Sequence, residues 1–123
     1  MNAASRVHGT VHLKVAYFLH DNFPELEFSA DEDLDFDKGK TSFRPDILGR
    51  DKNENLVIAV EVAVTSLKKD LMVAKAYYEM LGIYEYLVVD CNHSKVFHFK
   101  LESGVYKEVD NSKLAQELVS SVF

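Results

Sequence analysis

One cysteine, Cys91, stands in 123 residues, so no internal disulfide can staple the fold. That suits a reducing compartment. No window of 18 or more apolar residues occurs, which excludes a transmembrane helix. Residues 1–10, MNAASRVHGT, lack the apolar core of a signal peptide, and a cytoplasmic location is expected. The chain has no G-x-x-x-x-G-K, no G-x-S-x-G and no C-x-x-C, so it shows no sequence sign of a phosphate-cradling loop, a serine nucleophile elbow or a dithiol pair. Repeats and low-complexity tracts are missing too. Positive charge is in deficit, with 14 Lys and Arg against 20 Asp and Glu, a net charge of -6. Domains that hold nucleic acid by bulk charge are usually basic, which argues against that mode here.

What remains is ordinary globular material: 47% hydrophobic residues and 11% aromatic, enough for a single domain over residues 1–123. The charges are unevenly spread. Residues 21–37 carry Asp21, Glu25, Glu27, Asp31, Glu32, Asp33, Asp35 and Asp37, while residues 38–75 carry Lys38, Lys40, Arg44, Arg50, Lys52, Lys68, Lys69 and Lys75. A solvated loop and a helix start account for much of that.

Val7, Val11, Val15 and Phe18 share a helical face, which predicts an amphipathic helix over about residues 6–20 ended by Pro24. ELEFSADEDLDFD reads as two short strands, with Leu26 and Phe28, then Leu34 and Phe36, alternating with acids. SFRPDILG and NLVIAVEVAV read as the next two, joined by the polar turn RDKNEN, and the second is apolar enough to be a central strand. Thr65 or Ser66 can cap a helix over 67–81 with the stripe Leu67, Leu71, Ala74, Tyr78 and Leu81, ended by Gly82. YEYLVVD, KVFHFKL and VYKEV follow as strands, and residues 111–121 as a last helix. The predicted fold is α/β, a mixed sheet flanked by helices in the order α-β-β-β-β-α-β-β-β-α, with one crossover from strand 56–64 to strand 84–90.

Two carboxylates, Asp46 and Glu61, interrupt the two adjacent apolar strands. A buried carboxylate is costly unless it is paired or binds metal. Paired strands would bring both acids to one end of the sheet. A divalent cation would relieve their repulsion, hold a phosphate and activate a water. An ion pair with Arg44 or Arg50 would equally account for either acid. His8 and His12, four apart, could share a helix face as metal ligands or as plain surface histidines, and His8 could instead lie near the acids. Asp70 suits a helix N-terminus through the dipole, or a supporting role beside the acids. Tyr77, Tyr78 and Tyr84 read as packing residues, and His93 and His98 have no partner in sequence. Nothing marks Cys91 as a nucleophile.

RPDI, AVEVAVTS and KKDLMVAKAYYEMLGIYEYLVVD together resemble the Uma-type restriction-endonuclease family of the PD-(D/E)XK nuclease superfamily. The likeness spans about residues 8–110. It implies a restriction-endonuclease-like fold and a Mg²⁺- or Mn²⁺-dependent endonuclease acting on DNA. Asp46 and Glu61 would be the metal-binding acids. The superfamily's lysine would fall at Ala63, and the family's helix lysine at Ala74, so Lys75, one step on, takes the expected catalytic role. A solvated lysine near Glu79 is its other reading. Arg44, Arg50, Lys68 and Lys69 are the expected phosphate contacts. No membrane partner is expected, and a homodimer is allowed. The rival expectation is a nuclease fold with weak or lost catalysis that serves in assembly or regulation.

Overall fold

The computed structural model describes residues 3–36 and 41–123; Asp37, Lys38 and Lys40 lie outside them. Its order is α1 (Ala3–Asn22), β1 (Glu27–Ala30), β2 (Leu34–Phe36), β3 (Thr41–Phe43), β4 (Ile47–Arg50), β5 (Leu56–Ala63), α2 (67–80), β6 (Glu85–Asp90), β7 (Lys95–Glu102), β8 (Val105–Glu108) and α3 (Lys113–Val122). Six strands form one mixed sheet in the order β1-β4-β5-β6-β7-β8. β4 and β5 pair antiparallel, and β5 and β6 pair parallel across the α2 crossover, as the apolar runs predict.

Alternation along β5 builds the layers. Ile58, Val60 and Val62 face α1 and α3 together with Val11, Val15, Leu19 and Leu118. Ala59 and Ala63 face the other way, towards Tyr78 of α2 and Tyr86. The sheet is therefore covered on both faces, and β5 is a central strand. Val7, expected on the buried stripe of α1, is 41% exposed, and Leu19 takes its place in the core.

The segment SFRPDILG is two strands rather than one. Pro45 has no N–H to give a ladder and fixes its own φ, so the chain breaks there. β3 turns away to pair with β2 in a separate two-stranded sheet, Leu34 opposite Phe43, and β4 begins only at Ile47. The acids before it find partners across the break. Arg44 Nε donates to Asp33 Oδ1 at 2.9 Å, and Arg50 Nη1 donates to Glu32 Oε1 at 2.6 Å.

Helix α2 is not uniform. Leu67–Lys69 and Lys75–Met80 are α-helical, and Asp70–Ala74 between them is a π-helical turn. The Tyr86 hydroxyl donates to the Asp70 carbonyl at 2.8 Å, supplying a bond inside the widened turn. Ser66 does not cap the helix with its side chain. Gly82 ends α2 at φ +75°, with Ile83 N–H bonded to Tyr78 O and Gly82 N–H to Glu79 O, the Schellman pattern.

Candidate metal and active site

Asp46 and Glu61 meet where β4 and β5 separate. Ile47 pairs with Val60, so the next step of the ladder would set Asp46 opposite Glu61. The side chains replace that step. Asp46 N–H donates to Glu61 Oε1 at 2.8 Å, and Val62 N–H donates to Asp46 Oδ2 at 2.7 Å. Each carboxylate thus closes on a backbone amide of the opposing segment, and no cationic side chain is needed to place it. The small Ala59 and Ala63 flank Glu61 on the α2 side, which leaves room for its carboxylate. There the Tyr78 hydroxyl donates to Oε2 at 3.2 Å.

Both acids line a cleft of about 510 Å³ with His8, Arg44, Lys69 and Asp70. His8 comes from α1, whose first turns overhang this end of the sheet, and its Nε2 lies 3.2 Å from Asp46 Oδ1. Asp70 is buried at the start of the π turn and accepts from Ser66 Oγ at 2.7 Å. Burial pushes the Glu61 carboxyl up to about 8, and the Asp46 charge adds to the push. Burial also raises Asp70, against the bond from Ser66. A cation set among these groups would reverse both effects. Among the described residues, no three His, Cys, Asp or Glu side chains already surround a common point. The donor chemistry nonetheless fits Mg²⁺ or Mn²⁺, which take one or two carboxylates and fill their other positions with water and phosphate oxygens.

The predicted cations separate into two groups. Arg44 and Lys69 line the cleft, and Lys68 lines a shallow hollow beside it. Arg50 and Lys75 do not. Arg50 is tied to Glu32 at the far end of β4. Lys75 sets its Nζ 4.5 Å from the centre of the Phe99 ring. Phe99 is on β7, two strands from Glu61 on β5, roughly 10 Å across the sheet. Ala74 takes the inward position on α2 and is fully buried. One residue further, Lys75 is turned by about 100°. The cleft lysine is Lys69, at the N-terminal side of the π turn.

Three contributions were not legible from spacing. Tyr78, expected only to pack, also donates to Glu61. His93 pairs with the buried Asp90 at 2.8 Å, and His98 bridges Glu85 and Ser112 at 2.8 and 2.7 Å. Tyr84, expected to pack, is 48% exposed. A larger groove of about 920 Å³ runs between α1 and α3, lined by Lys14, Asp21, Lys113 and Glu117 among others. It is a surface of mixed charge, and the carboxylate pair lies elsewhere.

Among the described residues, no helix is long and apolar enough to cross a membrane. One solved structure of similar fold is a “putative nuclease belonging to DUF820” from Anabaena variabilis, 13% identical, with a TM-score of 0.61 over 95% of this chain and 82% of that one. Another is the type IIG restriction endonuclease BpuSI, 14% identical, with a TM-score of 0.61 over 94% of this chain. The chain corresponds to only 15% of BpuSI. At such identities the likeness establishes the fold alone. No curated protein matches the chain. The sequence itself matches the Uma2 family, “Putative restriction endonuclease”, over residues 1–123, and the chain belongs to that family.

Proposed function

We propose that the chain is a divalent-metal-dependent endonuclease that hydrolyses phosphodiester bonds of DNA, with Asp46 and Glu61 as its metal-holding carboxylates. The observation that carries this reading is the amide-clasped pair of acids in one open cleft. When bound there, Mg²⁺ or Mn²⁺ neutralises phosphate charge and lowers the pKa of an attacking water. Val62 N–H fixes one oxygen of Asp46, which leaves Oδ1 turned towards His8 and the cleft. Tyr78 and the Asp46 amide hold Glu61 from two sides. Lys69 and Arg44 line the cleft and are placed to contact phosphate oxygens; Arg44 would share its guanidinium with Asp33. Lys75 and Arg50, outside the cleft, are left out of the reaction.

Nicking of supercoiled plasmid in Mn²⁺ tests this reading. Wild type should nick. Asp46→Ala and Glu61→Ala should each lose more than about a hundredfold in rate, the scale of a lost metal contribution. Lys75→Ala should cut at nearly the wild-type rate. A second reading, a nuclease fold used in assembly or regulation, is favoured by one observation: the two positions at which the resemblance sets a lysine, 63 and 74, are buried alanines on the Glu61 side of the sheet. A wild type that binds Mn²⁺ yet cuts no DNA would select it.

A further inference from the structure

The groove of about 920 Å³ between α1 and α3 has a charge pattern of its own. Lys14, Tyr17, Phe18 and Asp21 form its α1 wall, three and four residues apart on one helix face. Lys14 and Asp21 are exposed, and among the described residues neither has an ion pair. Lys113 and Glu117 on the opposite wall already meet each other at 3.8 Å. Between the two unpaired charges stands Tyr17, 74% exposed, with the Phe18 ring beside it half-buried against the core. The order along the face is base, two aromatics, acid. Its midpoint falls between Tyr17 and Phe18. Lys14 and Asp21 lie about 10.5 Å apart along the axis and within about 20° of one line. Their signs are opposite, so a rotation of half a turn about that midpoint brings each charge onto the place of the other.

We propose that this face of α1 binds a second copy of the chain, the two α1 helices running antiparallel about a two-fold axis between Tyr17 and Phe18. A two-fold contact uses the same patch on both partners, so the patch must complement itself. Here Lys14 meets the partner subunit's Asp21, and Asp21 meets the partner subunit's Lys14. Tyr17 packs beside the partner subunit's Phe18. Packed helix axes lie about 8–10 Å apart, a span that Lys and Asp side chains bridge together. A foreign partner requires no relation between the base and the acid, whereas a copy of the same face does. α1 ends at Asn22, which the axis sets opposite the partner subunit's Leu13. The helices therefore overlap over residues 13–22, and Leu13, also 74% exposed, gains cover. The first turns of α1, with His8 at the carboxylate cleft, stay outside the overlap.

Sedimentation of the full chain across the micromolar range tests the contact through its symmetry. Wild type should be a dimer in reversible exchange with monomer. Lys14→Glu sets acid against acid at both ends of the seam, and Asp21→Lys sets base against base. Each should raise the dimer dissociation constant by more than about tenfold, because like charges then face each other across the contact. An equimolar mixture of the two variants should dimerise again, since the introduced acid of one meets the introduced base of the other. The double variant Lys14→Glu with Asp21→Lys should dimerise by itself for the same reason. Both positions are exposed, so circular dichroism should show every variant folded. A wild type that stays monomeric throughout would overturn the proposal. So would a dimer that Lys14→Glu leaves intact, or a mixture of the two single variants that stays monomeric.

Discussion

Glu61 concentrates the chemistry of the molecule in one side chain. It is 8% exposed, and its carboxyl is raised from 4.5 to about 8 by burial first and by Asp46 second. The unfolded chain gives up this proton near pH 4.5, while the folded chain keeps it until about pH 8. Between those values the native state binds more protons than the unfolded state, so stability falls as pH rises. The loss is on the order of a few kcal/mol, complete above the folded pKa. Urea melts of the metal-free protein from pH 5 to pH 9 should show this decline, and Glu61→Gln should flatten it. A Glu61→Gln protein with the wild-type slope would mean that the carboxyl titrates normally. Tyr78→Phe removes the hydroxyl that meets Oε2. It should cost about 1 kcal/mol in the same melts, the net value of one hydrogen bond.

At the scale of elements, two glycines shape the frame at the ends of β4 and α2 remote from the cleft. A Cβ at Gly49 on β4 would stand 2.6 Å from Ile58 Cγ2 and 2.8 Å from the Phe28 ring. Both neighbours are packed in the layer under α1, and the β4–β5 register shifts at this point. Gly49→Ala should therefore destabilise by about 1–3 kcal/mol, the cost of an overpacked core, measured as a lower urea midpoint. Gly82→Ala should cost about 1 kcal/mol, because the end of α2 needs its positive φ. Gly82 was legible in the sequence as a helix stop, as were β5 as a central strand and α2 as a crossover. The π turn was not. It coincides with the bond from the Tyr86 hydroxyl to the Asp70 carbonyl, a contact from another element that a helical repeat cannot foresee. The break at Pro45 was written in the sequence, but a continuous apolar reading of SFRPDILG passes over it. Asp46 and Glu61 stood out because a carboxylate inside an apolar strand demands a partner. Their partners are backbone amides, which leave no mark in a sequence, together with His8 and Tyr78 from α1 and α2.

Across the whole molecule, charge is distributed more locally than the total of -6 suggests. Asp33 and Glu32 pair with Arg44 and Arg50, so part of the acidic run neutralises the bases nearest to it. Lys68 and Lys69 remain exposed beside the cleft. If DNA docks there, Lys68→Ala combined with Lys69→Ala should lower the slope of log affinity against log salt by about 2. Arg50→Ala should leave that slope unchanged and lower the melting temperature instead, since it strands Glu32. Binding titrations at several salt concentrations distinguish the two variants. A drop in slope for Arg50→Ala alone would put the DNA surface at the far end of β4. The basic residues were countable in the sequence, but which of them were free was not, because pairing across eleven or eighteen positions depends on the turn at Pro45.

The central claim is that Asp46 and Glu61 jointly hold a divalent cation, and calorimetric titration of Mn²⁺ tests it most directly. Titrations at pH 7 in two buffers of different ionisation enthalpy report metal binding and proton release together. With the Glu61 carboxyl at about 8, the metal-free site carries its proton at pH 7 and must give it up to the cation. The predicted result is one Mn²⁺ per chain with close to one proton released, the release fading above pH 9, and no binding by Asp46→Ala or Glu61→Ala. Binding that persists in both variants, or no binding by wild type, would contradict it.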